Sequence, residues 1–173
     1  MAGHVGGGPW RRGATAGCDG AAAGRRRASW RGVGGAVATL GAVQIVAALF
    51  VENFEMREAP GPSTRLDLTG VMFSQAAPSE VPLTLTPHLV ALIHCPADES
   101  GSGVFEVVFR RGLDESSEQV ARNVSPFTVE PGKFTYRLVR GELDFDEYGQ
   151  VFAHCRVDQG PWHPVPFTLL PPV

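Results

Sequence analysis

The chain is predicted to be all-β: an antiparallel β-sandwich of about eight strands, preceded by a disordered Gly/Arg-rich N-terminal tail. Three observations predict it. Past residue 43 apolar side chains recur mainly with a period of two, the pattern of strands with one dry and one wet face. Turn-forming residues separate these runs at the spacing of a sandwich or barrel. Of the 14 prolines, all but Pro9 lie after residue 59, which disfavours long helices there.

Composition divides the chain into residues 1–42, read as tail, and 43–173, read as one domain. The first part holds twelve glycines, six arginines and one acid, Asp19; the second holds nine basic and seventeen acidic residues. Glycine at that density cannot offset the entropy of ordering a backbone, so the tail is expected to be disordered, a basic arm or an upstream extension of the reading frame. Abundant Arg, Ala and Gly beside a single lysine, Lys133, suggest a GC-rich bacterial coding sequence. Residues 33–51 (VGGAVATLGAVQIVAALFV) carry no charge and follow Arg25-Arg26-Arg27 and Arg31. Two readings stand for them. With the preceding arginines, residues 25–51 as a signal or anchor would give a membrane-anchored or secreted protein. Alternatively the domain starts near Val43 and 43–55 is the first strand, with Val43, Ile45, Ala47, Leu49 and Val51 on one face. The strand reading goes with a cytoplasmic protein.

The next run, 65–73 (RLDLTGVMF), places Leu66, Leu68 and Val71 against the core, with Gly70 at a bulge or close approach. Leu83 and Leu85 precede a break at Pro87, and His88–Cys95 form a strand apolar on both faces. Phe105, Val107 and Phe109 alternate with Glu106, Val108 and Arg110. The loop at 112–121 is the best place for a short helix. Residues 120–129 form a strand bent at Pro126, and 130–132 (EPG) reverse the chain. Residues 133–145 are read as one strand, with Phe134, Tyr136 and Leu138 on one face. The strands at 151–157 and around Val165, Phe167 and Leu169 complete the domain.

The segments VENFEMRE, RLDLTGVMFSQ and APSEVPLTLTPHLVALIHC together resemble a family of uncharacterised bacterial, actinobacterial-type β-sandwich proteins. The resemblance spans residues 43–170, with Thr69-Gly70 in place of a glycine cluster in the second strand. It implies a fold and a domain start near Val43, and no activity.

Two His-Cys pairs, His94-Cys95 and His154-Cys155, raise the question of a metal site. Strand neighbours point to opposite faces, so four such side chains cannot converge within the ~2.0–2.3 Å that zinc requires. The cysteines share the more apolar face and are read as buried thiols, with a Cys95–Cys155 disulfide as the alternative if the protein is exported. Glu142, Asp144, Asp146 and Glu147 lack the EF-hand pattern and are read as a solvated edge rather than a calcium site. No nucleophile elbow or phosphate loop is present, so no catalytic, cofactor or metal residue is assigned. Trp162, with His163 and His154, is the candidate binding patch. The acidic domain does not suit nucleic acid, and membrane contact enters only through 33–51. These readings favour a non-enzymatic module that binds another protein or itself, with an exported or anchored sandwich as the alternative.

Overall fold

A computed structural model describes residues 42–58, 60 and 64–173. The expectations for the tail, for Cys18 and for residues 33–41 lie outside the described residues. Those residues are all-β, with eleven strands and no helix. β1 (Gln44–Glu58), β2 (Thr64–Met72), β5 (His88–His94) and β8 (Phe134–Arg140) form a four-stranded sheet in the order β2-β1-β5-β8. β3 (Ser74–Ala76), β6 (Ser102–Arg110), β7 (Gln119–Thr128), β10 (Gly149–Val157) and β11 (His163–Leu170) form a five-stranded sheet in the order β3-β11-β10-β6-β7. β4 (Leu83–Leu85) and β9 (Leu143–Phe145) pair separately.

Pairing is antiparallel except between β3 and β11. That departs from the all-antiparallel expectation. The chain crosses from β2 to the second sheet through Phe73 alone, so β3 enters alongside the last strand in the same direction.

One core cluster draws on both larger sheets. Phe50, Leu89, Ala91 and Ile93 enter from the first, and Phe105, Val107, Phe109, Val151, Ala153, Cys155, Phe167 and Leu169 from the second. On β6, β10 and β11 the residues read as core-facing enter the core, but Glu106, Val108 and His154 on the opposite face are buried as well. β1 departs from its expected faces. A bulge between Ile45 and Ala47 shifts its register, so Ile45, Ala48 and Phe50 lie opposite the core residues Ile93, Ala91 and Leu89. A bulge adds one residue to one strand and exchanges the two faces beyond it. Val51 and Val90 are buried on the other face, as expected for a strand apolar on both sides.

Other expectations are corrected. Residues 44–51 belong to β1, paired with β5, so the apolar run 33–51 does not continue as a helix beyond residue 43; no helix among the described residues is long and apolar enough to cross a membrane. Residues 112–118 form turns, closed by Ser117 N–H donating to the Asp114 carbonyl (2.9 Å), and β7 follows, so no helix forms at 112–121. The run 133–145 is two strands separated at Gly141, whose N–H donates to the Pro87 carbonyl (3.1 Å). A Cβ at Gly141 would sit 3.0 Å from the Phe109 ring, which would have to give by a few tenths of an ångström to admit one. Val71 is 43% exposed, and Met72 packs against the core in its place. Gly70 adopts φ 62°, and the Glu52 side chain occupies the space a Cβ would take.

Candidate functional site

The sequence-predicted patch lies at β10, and the structure assembles part of it. Cross-strand register sets Arg156 opposite Glu106 and His154 opposite Val108, while Val108 lies opposite Arg122. Glu106 is therefore flanked by two guanidinium groups. Arg156 Nε and Nη2 donate to Glu106 Oε2 at 2.7 and 2.6 Å. Arg122 Nε and Nη2 donate to Oε1 at 2.8 and 2.7 Å. The Arg156 guanidinium lies 4.1 Å from the Trp162 ring centre, a cation–π contact. Trp162 in turn meets His154 edge-on at 6.3 Å. His154 is buried, and its Nε2 donates to the Gly112 carbonyl at 3.1 Å. His163 is exposed and lies opposite Cys155, so it is not brought to this cluster.

The ladder Trp162–Arg156–Glu106–Arg122 runs across three strands with both carboxylate oxygens occupied. Burial pushes the Glu106 carboxyl up, but the hydrogen bonds and charges of Arg156 and Arg122 outweigh it and hold the group below its ordinary value. A carboxylate that is ionised and fully paired has no proton to give and no lone pair aimed at a substrate. The arrangement ties the sheet together, as a network whose members satisfy one another.

Cys95 and Cys155 are free, buried thiols. Cys95 Sγ lies 3.3 Å from the Pro96 carbonyl oxygen, and Cys155 Sγ lies 3.7 Å from that of Ala153. His94 stacks on Phe134 at 4.6 Å, away from the core that receives Cys95. Among the described residues no three His, Cys, Asp or Glu side chains are grouped to hold a metal ion. In the acidic stretch Asp144 accepts from Thr84 Oγ1 at 2.6 Å, its carbonyl accepts from Arg111, and Leu143 and Phe145 anchor β9 in the core. Burial pushes the Cys155 thiol up to about 12. Since the thiolate is the nucleophile, Cys155 is expected to resist iodoacetamide at pH 8 in the folded protein and to react in denaturant. Mass spectrometry of the alkylated peptides reads both states.

A cavity of about 390 Å³ includes Glu52, His88 and Arg140 in its walls. Its imidazole contacts the Glu52 carbonyl (3.4 Å) rather than the carboxylate, and Arg140 donates to Thr86 Oγ1 (3.1 Å). No carboxylate–imidazole pair is formed there.

The remaining feature is a sheet edge. β5 pairs with β1 only as far as Val51, so residues 52–58 of β1 pair with β2 alone. This two-stranded arm has an apolar face, with Phe54 opposite Leu68 and Met56 opposite Leu66, and Met56 is 53% exposed. Its polar face sets Glu55 opposite Asp67 and Arg57 opposite Arg65. Like charges directly opposite one another destabilise a hairpin. One diagonal ion pair, Arg57 with Asp67, relieves this and holds the Asp67 carboxyl below its ordinary value through its hydrogen bond. Among the described residues Arg65 and Glu55 form no contact ion pair, although the charge of Arg65 acts on Asp67 and that of Glu55 on Arg57.

Residues 52–58 of β1 are likewise unpaired on the side away from β2, whereas the outermost strands β8, β7 and β3 carry features that β2 lacks. Arg137 of β8 donates to the Pro126 carbonyl of β7 (3.0 Å) and lies 5.4 Å from the Phe127 ring centre, linking the two sheets along that side. β7 also carries Pro126, which cannot donate to a further strand, and β3 has three residues. β2 has nine residues, contains neither Pro nor Lys, and has no strand on its outer side among the described residues. Sequence reasoning missed this edge and the Glu106 ladder. The alternation RLDL signals a strand, but only the strand order shows that it lies outermost. No family model matches the chain, and no curated protein matches it.

Proposed function

We propose that the protein is a non-enzymatic β-sandwich module that acts by protein–protein contact, adding a strand at the outer edge of β2. The open edge is the observation that carries this reading. An unpaired strand presents a row of N–H and C=O groups, and strand addition satisfies them with a partner's backbone. The sandwich architecture is supported by the shared core, in which Phe50 of one sheet lies between Phe109 and Phe167 of the other. A binding rather than catalytic role is supported by the polar clusters, whose groups are engaged in holding strands and loops. The acidic excess of residues 43–173 favours protein over nucleic acid as partner. Two free buried thiols suit a reducing compartment, and we place the module in the cytoplasm.

Amide hydrogen exchange across 64–72 tests it, measured on the full chain when dilute, when concentrated and in concentrated cell extract. Slowed exchange at alternate residues of β2 in either crowded sample is expected. Equally fast exchange in all three would remove the proposed contact.

A further inference from the structure

We infer that the strand added to β2 is β2 of a second copy, paired antiparallel about a twofold axis at Leu66. The inference rests on the interaction reading above and names its partner. In an antiparallel pair about that axis, Leu66 lies opposite Leu66 of the second copy, Arg65 opposite its Asp67, and Thr64 opposite its Leu68. Side chains directly opposite share a face, so polar residues meet polar ones only in registers that pair odd with odd positions. Among those, a shift of the axis by one residue either way sets Arg65 on Arg65 or Asp67 on Asp67. The Leu66 register alone pairs opposite charges, and it does so twice.

That register also answers what the isolated arm leaves unresolved. Arg65 faces Arg57 within the arm and forms no contact ion pair among the described residues, while Asp67 faces Glu55 and is shared with Arg57. The second copy sets a carboxylate directly opposite Arg65, which within its own chain only acts on Asp67 from a distance, and sets a further guanidinium opposite Asp67. On the other face, Leu66 and Leu68 of both copies join the Phe54 and Met56 rows into one strip and cover the exposed Met56. A two-stranded ribbon is marginal in water by itself; continued into the partner, it becomes the middle of an eight-stranded sheet.

Sedimentation of the full chain, with Cys18→Ser to remove the tail thiol, tests the pairing. The chain is expected to dimerise. Arg65→Asp alone and Asp67→Arg alone each set like charges together twice, and each is expected to weaken dimerisation about tenfold or more. Mixing the two variants restores every opposite pair, so a heterodimer is expected at wild-type affinity. Its formation also shows that both variants are folded. Leu66→Cys places two thiols on the axis, where opposed Cα atoms lie about 4.5–5.5 Å apart, within disulfide range. It is expected to cross-link on oxidation, whereas Leu68→Cys, facing Thr64, is not. A monomer at every concentration, a dimer indifferent to both charge reversals, or no Leu66→Cys cross-link would each overturn the inference. Slowed exchange in cell extract alone would overturn self-pairing and leave the interaction module standing; fast exchange in all three samples would remove both.

Discussion

Phe50→Ala is expected to lower the unfolding free energy by about 3–5 kcal/mol, the range for truncating a buried phenylalanine. Phe50 is 1% exposed. Its ring lies 5.1 Å from Phe167 and 6.5 Å from Phe109, centre to centre, and both partners belong to the other sheet. Truncation therefore removes one of the largest contacts joining the two sheets and leaves a cavity lined by rings held in place by their own strands. Domains of this size have about 5–15 kcal/mol of stability in total, so the loss is a large share of it. Urea unfolding should show a lower midpoint with an unchanged slope, because the surface exposed on unfolding is nearly the same. A loss below about 1 kcal/mol, the size of a surface effect, would mean that the sheets do not share a core at Phe50.

Glu106→Gln is expected to cost about 2–4 kcal/mol, below the upper end for breaking a buried ion pair because the Arg122 side chain is 54% exposed and water can take up part of its charge. The amide keeps the shape but leaves two guanidinium groups facing a neutral side chain, one of them sandwiched against Trp162. The same residue sets a pH dependence. Because arginine contacts hold the folded-state carboxyl below its ordinary value, the folded protein keeps this group ionised at pH values where the unfolded chain has protonated it. Its stabilisation is present in full above the ordinary carboxyl range, about pH 4.3. It is lost as pH falls from there through the folded-state value. Wild type should therefore lose stability on acidification more steeply than Glu106→Gln. Identical acid profiles by circular dichroism would mean that the two arginines do not hold the carboxylate.

Much of the fold was legible because a strand with one dry face writes its geometry into odd and even positions. Phe105, Val107 and Phe109, and Val151, Ala153 and Cys155, were assigned to the core by that rule, and all are buried. The rule failed where the backbone broke its own period. β1 carries a bulge that no residue between Ile45 and Ala47 announces, since apolar side chains stand on both sides of it. The break between β8 and β9 falls at Gly141, which reads like a tolerated glycine until Phe109 is seen against it. The loop at 112–121, the best place for a short helix by sequence, holds bends and turns over 112–118 instead. In the fold the Arg110 side chain donates to the Ser117 carbonyl (2.7 Å) and holds the segment as a loop.

The candidate site was legible only in pieces. Trp162 and His154 share the candidate patch and they meet, but the Arg156 that lies on Trp162 is held by Glu106 of β6, itself shared with Arg122 of β7, far away in sequence. By itself the sequence determined the all-β class, the core-facing residues of β6, β10 and β11, and the burial of both cysteines. These follow from local periodicity, which each segment carries with it. On β8 it is Val139, not the Phe134, Tyr136 and Leu138 face, that enters the core. The tertiary structure decided which strands are neighbours, and hence that Glu106 stands between two arginines and that β2 lies outermost in its sheet. Neighbourhood in a sheet is a property of chain crossings between distant segments, and no local pattern of side chains encodes it.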